Sequence, residues 1–353
     1  MESCLGALLP LFERERAAAR ATALAVLLST EGSTYQRPGA LLLISASGEY
    51  AGLISGGCLE GDLAEHARAV IESGQARRVI YDLRDPSDLV WGLGAGCEGA
   101  MHVLVLRVGP REHWEPLGHL VQAYAAHTPT AIGLVTDTDD ARIALGAVAL
   151  PDEGASDFLT AAARTALMAS SRAVEPGWFD EPGRYRLFLL PLALTPRVLV
   201  LGAGPDAVPV VRLAGELHWK VTVVDHRPAW AVPARFPSAE RVIQARPETL
   251  LGSVDLSEFE AAVIMTHRLE IDREYLRTLA ATTLPYLGLL GPPARAARLL
   301  GELGAQAAPV HARLHAPVGL NLGGRSPEAI AVSIIAEILA FLHGRLAAAE
   351  PAG

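Results

Sequence analysis

Two cysteines of this chain stand where a thiol can do chemistry. Cys58 follows Leu53-Ile-Ser55 and the pair Gly56-Gly57, and the acidic amphipathic segment Leu59-Glu-Gly-Asp62 begins at once. That order predicts strand, tight turn and helix, with Cys58 in the first helical turn, where unpaired N–H groups and the helix dipole stabilise a thiolate or another anion. Cys97 lies in Gly92-Leu-Gly-Ala-Gly-Cys-Glu-Gly99. Gly96 and Gly99 permit positive φ there and leave main-chain N–H groups available for an anion-binding nest. If both turns face the same way, the thiols of Cys58 and Cys97 line one pocket. The plainer reading is two tight turns with small apolar plugs beneath them.

A second polar cluster occupies Glu31-Gly-Ser-Thr-Tyr-Gln-Arg-Pro-Gly39. Glu31, Ser33, Thr34 and Arg37 exceed what a hairpin connection requires, and the planar fork of Arg37 suits an anionic ligand. An ordinary connection is the alternative. In the second half, Arg197-Val-Leu-Val-Leu-Gly-Ala-Gly-Pro-Asp-Ala207 reads as a strand running into G-x-G-x-x-A and a helix, and the next strand ends at Asp225. This is the Rossmann fingerprint in its required context, with Gly202 and Gly204 in the turn and Asp225 placed for a ribose hydroxyl, so NAD(P) or another nucleotide is the ligand it suggests. Pro205 removes an N–H that could face a pyrophosphate, which leaves open that the glycines serve the turn alone.

Positioning these residues takes a set of short elements. Apolar runs predict strands over 22–28, 41–45, 50–54, 78–82 and 101–107, with a helix from 59 to 73 that Gly74 stops. Signals weaken from 117 to 190: helices near 118–126 and 157–169, and strands at 131–135, 144–150 and 185–190. Pro191 and Pro196 bracket a linker, 191–196. Beyond it, strands at 197–201, 220–225, 241–245, 261–266 and 285–290 alternate with helical segments, and Ser326 and Pro327 open a long last helix. The fold class is therefore α/β: an N-terminal mixed α/β domain over 1–190, its motifs concentrated in 22–108, then a C-terminal Rossmann-like doubly wound parallel sheet over 197–353.

Bulk composition narrows the function. The 353 residues suit two domains, and acidic residues outnumber basic ones 39 to 30 with no basic cluster interleaved with aromatics, so nucleic acid is not an expected partner. No apolar run approaches the length of about 18 needed for a membrane span. The N-terminus lacks the basic start and cleavage pattern of a secretory signal, and three cysteines without a C-x-x-C pair indicate neither a disulfide framework nor structural zinc; a cytoplasmic location is expected. The sole lysine is Lys220, so no Walker-type phosphate loop exists.

Taken in order, the Glu31–Gly39 loop, Ser55-Gly-Gly-Cys-Leu-Glu60, Gly96-Cys-Glu-Gly99, Leu201-Gly-Ala-Gly204, Val224-Asp-His-Arg-Pro228, Leu287-Gly-Leu-Leu-Gly291 and Val318-Gly-Leu-Asn-Leu-Gly323 resemble the XdhC/CoxI family over almost the whole chain. The resemblance implies an accessory protein for molybdenum hydroxylases of the xanthine dehydrogenase or carbon monoxide dehydrogenase type. Such a protein binds the molybdenum cofactor (molybdopterin), assists its sulfuration by a cysteine desulfurase and delivers it to the apo-enzyme. On that reading Cys58 and Cys97 are the residues for molybdenum or sulfur contacts, since soft thiolates suit both, and the glycine turns suit a pterin phosphate. The expected assembly is a homo-oligomer, a dimer, and the expected role is that of a chaperone rather than a catalyst. Pro205, Asn321 and Pro292-Pro-Ala294 depart from the family pattern, where histidine, aspartate and basic residues are frequent. Two other functions compete: an NAD(P)-dependent oxidoreductase using Gly202, Gly204 and Asp225, and a cysteine-nucleophile hydrolase built on Cys58.

Overall fold

β1 (Thr22–Gly32) begins with seven successive buried residues, so both of its faces are covered and its apolar residues run without alternation. The computed structural model describes residues 5–82, 84, 99–152 and 156–346. It divides into two compact units, Met1–Leu194 and Thr195–Gly353.

In the first unit, β2 (Leu41–Ser45), β3 (Tyr50–Gly52), β4 (Arg77–Asp82) and β5 (Gly99–Val108) join β1 in an antiparallel sheet of order β3-β2-β1-β5-β4. β1 runs past the apolar stretch 22–28 because Glu31 and Gly32 pair with Ala100 and Gly99, a partnership that periodicity along one strand cannot reveal. β3 stops short of Ile54 at Gly52, whose φ of +92° turns the chain. The pleat sends alternate side chains to opposite faces. Leu24, Val26, Leu43 and Leu104 pack with Leu8 and Phe12 of α1 (Leu5–Ala17), while Ala23, Ala25, Leu42 and Val103 pack with Leu63, Ala67 and Val70 of α2 (Glu60–Ser73).

A smaller antiparallel sheet closes the first core. After α3 (Leu117–Ala125), which adds Leu117 and Leu120, come β6 (Ala131–Thr138), β7 (Val148–Ala149), α4 (Ala161–Ser170), β8 (Gly177–Glu181) and β9 (Tyr185–Pro191). The strands pair in the order β7-β6-β9-β8. Ile132, Leu134, Phe188 and Leu190 enter the α1 core, and the other face packs on Ala163 and Leu167 of α4. The strand anticipated over 144–150 shrinks to β7, because Gly146 takes φ +76° and Ala147 N–H closes a turn on Ala144 O at 3.1 Å. Two elements, α1, which contains Pro10, and β8, lie outside the helices and strands that the sequence predicts.

The second unit is one six-stranded parallel sheet. Its strands are β10 (Arg197–Leu201), β11 (Lys220–Asp225), β12 (Arg241–Gln244), β13 (Ala261–Ile264), β14 (Tyr286–Leu289) and the short β15 (Leu314–His315), in the order β12-β11-β10-β13-β14-β15. The chain leaves β10 toward one edge and returns to β13 beside it, which is the switch point of a doubly wound sheet, where ligands bind outside the carboxyl ends of the strands. The connections hold α5 (Ala207–Glu216), α6 (Leu250–Ser253), α7 (Leu269–Ala280), α8 (Pro293–Leu303), α9 (Ala308–His311) and α10 (Pro327–Leu342). α5 and α10 cover one face through Val210, Val211, Ile334 and Ile338; α7 and α8 cover the other through Tyr275, Leu276 and Leu299. Ser326 caps α10 by accepting from Ala329 N–H at 3.2 Å, as its position before Pro327 predicts.

Candidate functional site

In the first unit, strand direction decides which loops can meet. β1 runs toward Gly32, Val26 pairs with Leu41 at the start of β2, Leu42 with Gly52 at the end of β3, and Gly32 with Gly99 at the start of β5. The Glu31–Gly39 loop, the Cys58 turn and Gly99 therefore occupy one end of the sheet. Close contacts agree with this: a Cβ on Gly99 would lie 2.6 Å from both Glu31 O and Ser33 O, and one on Gly56 would lie 3.8 Å from Tyr35 Cδ2. Gly99 is thus required by close backbone approach. The other candidates from that stretch, Gly96 and Cys97, lie outside the described residues, and with them the expectation of a pocket shared by two thiols.

The Cys58 turn is held from beneath by two buried polar residues, Ser55 and Glu60. The Glu60 carboxylate accepts from Ser55 N–H at 2.8 Å and Leu59 N–H at 3.2 Å, and also from the Ser55 hydroxyl. Ser55 Oγ in turn accepts from Leu59 N–H at 3.1 Å and Gly57 N–H at 3.3 Å. Burial pushes the Glu60 carboxyl up, but these hydrogen bonds prevail and hold it below the usual carboxylate range. Cys58 consequently sits before α2 rather than in its first turn, because the Ser55–Glu60 pair already engages the amides that a thiolate would have used. Its Sγ lies 3.6 Å from Ser55 Oγ and packs half-buried against the core under α2.

What remains open at this turn is chemically distinct. Gly57 adopts φ +105°, and a Cβ there would meet nothing within 4 Å. The N–H groups of Gly56 and Cys58 donate to no partner among the described residues. Tyr35 is 60% exposed beside Gly56, and Arg37 is exposed with no ion pair among the described residues. Glu31 is bound by Arg84 Nη1 at 2.7 Å, and Ser33 is exposed. Ser55, Glu60 and Tyr35 stand within the sequence motifs, but sequence reasoning assigns none of them a role. The clue was a serine and a glutamate flanking a helix start, at a spacing of five rather than the three of a capping box.

In the second unit, Gly202 takes φ +122° where β10 passes β13, and a Cβ would lie 2.6 Å from Met265 O. Asp225 closes on this loop: its Oδ2 accepts from Ala203 N–H at 2.7 Å and Arg227 Nη2 at 2.7 Å, and its Oδ1 from Arg227 N–H at 2.8 Å and Nε at 2.9 Å. Burial raises the Asp225 carboxyl, and the bonds from Arg227 and Ala203 lower it below its usual range. Its side chain is 0% exposed, so the carboxylate holds the glycine loop and Arg227 together instead of presenting itself to a ribose. Beside Gly204 stands Asp206, whose Oδ1 would be 2.5 Å from an added Cβ. Asp206 Oδ2 is 2.6 Å from His267 Nε2, while Oδ1 is buried without a hydrogen bond. A carboxylate thus lies before α5, where a dinucleotide would place its pyrophosphate.

A cleft of about 900 Å³ opens beyond β14, lined by Gly291, Val318, Asn321, Gly323, Arg325 and Ser333 among others. Its loop is anchored by buried Glu337, which accepts from Gly319 N–H at 2.6 Å and from the Tyr286 hydroxyl, and pairs with His315 Nδ1 at 3.3 Å. Burial raises the Glu337 carboxyl; the bonds from His315, Tyr286 and Gly319 overcome this and lower it. Among the described residues, no three His, Cys, Asp or Glu side chains cluster closely enough to hold a metal ion, and no helix is long and apolar enough to cross a membrane.

Comparison with known proteins agrees with both halves. Residues 15–82 match the XdhC and CoxI family, and residues 198–338 match the XdhC Rossmann domain. A protein of Bacillus subtilis (strain 168), named as a probable xanthine dehydrogenase subunit, is 33% identical over 318 residues, covering 90% of this chain and 92% of that one. The uncharacterized protein YqeB of Escherichia coli (strain K12) is 31% identical over 163 residues, 45% of this chain and 30% of its own length. A crystal structure described as a xanthine dehydrogenase from Bacillus halodurans superposes with a TM-score of 0.77 at 29% identity, covering 97% of each chain.

Proposed function

The chain belongs to the XdhC and CoxI family, and on that premise we propose that it is a maturation factor for a molybdenum hydroxylase of the xanthine dehydrogenase or carbon monoxide dehydrogenase type. It binds the molybdenum cofactor, assists its sulfuration by a cysteine desulfurase, and hands it to the apo-enzyme without catalysing that enzyme's reaction. The observation that supports this most is the Cys58 turn, where a half-buried thiol, two amides without partners among the described residues and an exposed aromatic ring meet at one sheet end. The cofactor supplies the molybdenum and its sulfur ligands when bound. Cys58 contributes a soft donor, the Gly56 and Cys58 amides donate to anionic groups, Tyr35 offers a flat face to a pterin ring, and Arg37 a planar cation.

The residues present fit such a ligand. They fit the competing functions less well: the oxidoreductase reading needs Asp225 and the glycine loop for a nicotinamide dinucleotide, and both are engaged internally or faced by Asp206. A nucleophilic Cys58 needs a base, and its hydrogen-bond neighbour is Ser55. The test is reconstitution: apo-hydroxylase is incubated with released molybdenum cofactor, with and without this protein. Higher hydroxylase activity with it, and no turnover by it alone, is the expected result; equal activity in both mixtures refutes the proposal.

A further inference from the structure

The cleft of about 900 Å³ beside β14 has no task in the cofactor reading. It is lined by the turn after β14, by residues 317–325 and by Ile330 and Ser333 of α10, and by nothing from the ends of β10, β11, β12 or β13. The glycine loop, Asp225 and the switch point of the sheet therefore take no part in it. Its walls are built to hold their shape. Val318 can lie on β14 because Gly288 leaves room for it: a Cβ on Gly288 would be 2.5 Å from Val318 Cγ2. Gly319 takes φ +102° against Ser333, and Gly324 closes on Ala329, where an added Cβ would collide with that of the alanine. With Glu337 accepting from Gly319 N–H at 2.6 Å, the loop is fixed before any ligand arrives, which lowers the entropy cost of binding one.

Leu290, Val318, Leu320, Leu322 and Ile330 give this cleft apolar walls, and Leu322 is 56% exposed at its mouth. Its volume falls in the range of roughly 300–1,000 Å³ typical of small-molecule sites. Of the charged groups nearby, Glu337 is matched by His315 and Arg295 by Asp272, and Glu328, exposed on the first turn of α10, does not line the cleft. Arg325 does line it, and it is exposed with no ion pair or side-chain hydrogen bond among the described residues. Next to its guanidinium, the N–H groups of Gly323, Gly324 and Arg325 donate to no partner among the described residues, and Gly323 takes φ +79°. Successive amides at a left-handed turn gather round an anion, and the amino end of the 16-residue α10 adds to the positive potential there.

We propose that this cleft binds a small apolar ring compound bearing one carboxylate. The ring lies against Leu290, Val318, Leu320 and Ile330, and the carboxylate meets the planar fork of Arg325 and the amides of residues 323–325. A planar monoanion matches a single guanidinium, whereas a phosphate dianion would bring a second charge and its hydration into apolar walls that hold nothing to offset it. The inference uses the loop and α10 of the second unit only and does not rest on the role of Cys58.

Calorimetric titration of the full chain with three probes that share one ring tests it: 2-naphthoate, 2-naphthalenemethanol and 2-naphthyl phosphate. The carboxylate should bind about ten-fold tighter than the alcohol, the effect of one charge-assisted hydrogen bond, and no weaker than the phosphate. Arg325→Ala should abolish the preference for the carboxylate at an unchanged melting temperature, and Arg325→Lys should restore part of it. Asn321→Trp, which puts a large ring at an exposed position of the lining, should abolish binding of all three probes. Equal affinity for carboxylate and alcohol, including no binding by either, overturns the proposal. So do tighter binding of the phosphate, a preference that survives Arg325→Ala, and binding that survives Asn321→Trp.

Discussion

Asp206 Oδ2 lies 2.6 Å from His267 Nε2, bridging the residue before α5 and the loop after β13 across the switch point of the sheet. His267 adopts φ +61°, a left-handed conformation uncommon outside glycine, so the pairing is held against a local backbone cost. The position that should welcome phosphate is therefore faced by a carboxylate, and the fold's usual ligand meets repulsion where it normally finds attraction.

Removing that charge should show it. Asp206→Asn is expected to tighten NAD+ and NADP+ alike by roughly five-fold, an effect of about 1 kcal/mol for a charge at a helix N-terminus, with their ratio unchanged. Calorimetry on both ligands checks this; unaltered affinity for both would show that Asp206 is not the obstacle.

Ser55 links the buried Glu60 carboxylate to the amides of Gly57 and Leu59, so its loss leaves several buried groups short of partners. Ser55→Ala should destabilise the protein by about 2 kcal/mol. It should also weaken cofactor retention although Cys58 is untouched. Denaturant unfolding and molybdenum content measured on the same preparation decide the matter; full retention in the variant would mean that the turn's geometry is not what holds the ligand.

Acid should release the loop at the 900 Å³ cleft. Glu337 titrates lower in the folded protein than in the unfolded chain, so its ionised form contributes stability that is complete above its unfolded value, about pH 4.3. That contribution is lost as the pH falls through the folded value. Unfolding free energies followed from about pH 7 to pH 3 should decline in the acid limb, and the decline should be smaller in Glu337→Gln. An identical acid limb in both proteins would assign it to other carboxylates, such as Asp225 and Glu60, which are lowered in the same direction.

The parallel sheet was readable from sequence because its four central strands, β10, β11, β13 and β14, are buried on both faces and read as continuous apolar runs. The same rule failed for α1, whose thirteen residues include Pro10 and carry a charged end, and for β8, which is held by pairing with β9. At the candidate sites, residue types were visible but their engagements were not. Asp225 ends β11 as a ribose-binding acid would, yet Arg227, two residues on, closes over it. Cys58 looked helical because an acidic run followed it; the Ser55–Glu60 bond, which displaces it from the helix, depends on two side chains turning inward.

The central claim, that the Cys58 turn holds molybdenum cofactor, is tested by loading native protein and Cys58→Ser with released cofactor, separating protein from free ligand by size, and assaying the protein fraction for molybdenum. Serine keeps the shape of the turn and its contact with Ser55 but replaces a soft donor with a hard one. Native protein should retain molybdenum, and Cys58→Ser should lose most of it at an unchanged melting temperature. Equal molybdenum in the two fractions would make Cys58 a packing residue and contradict the account.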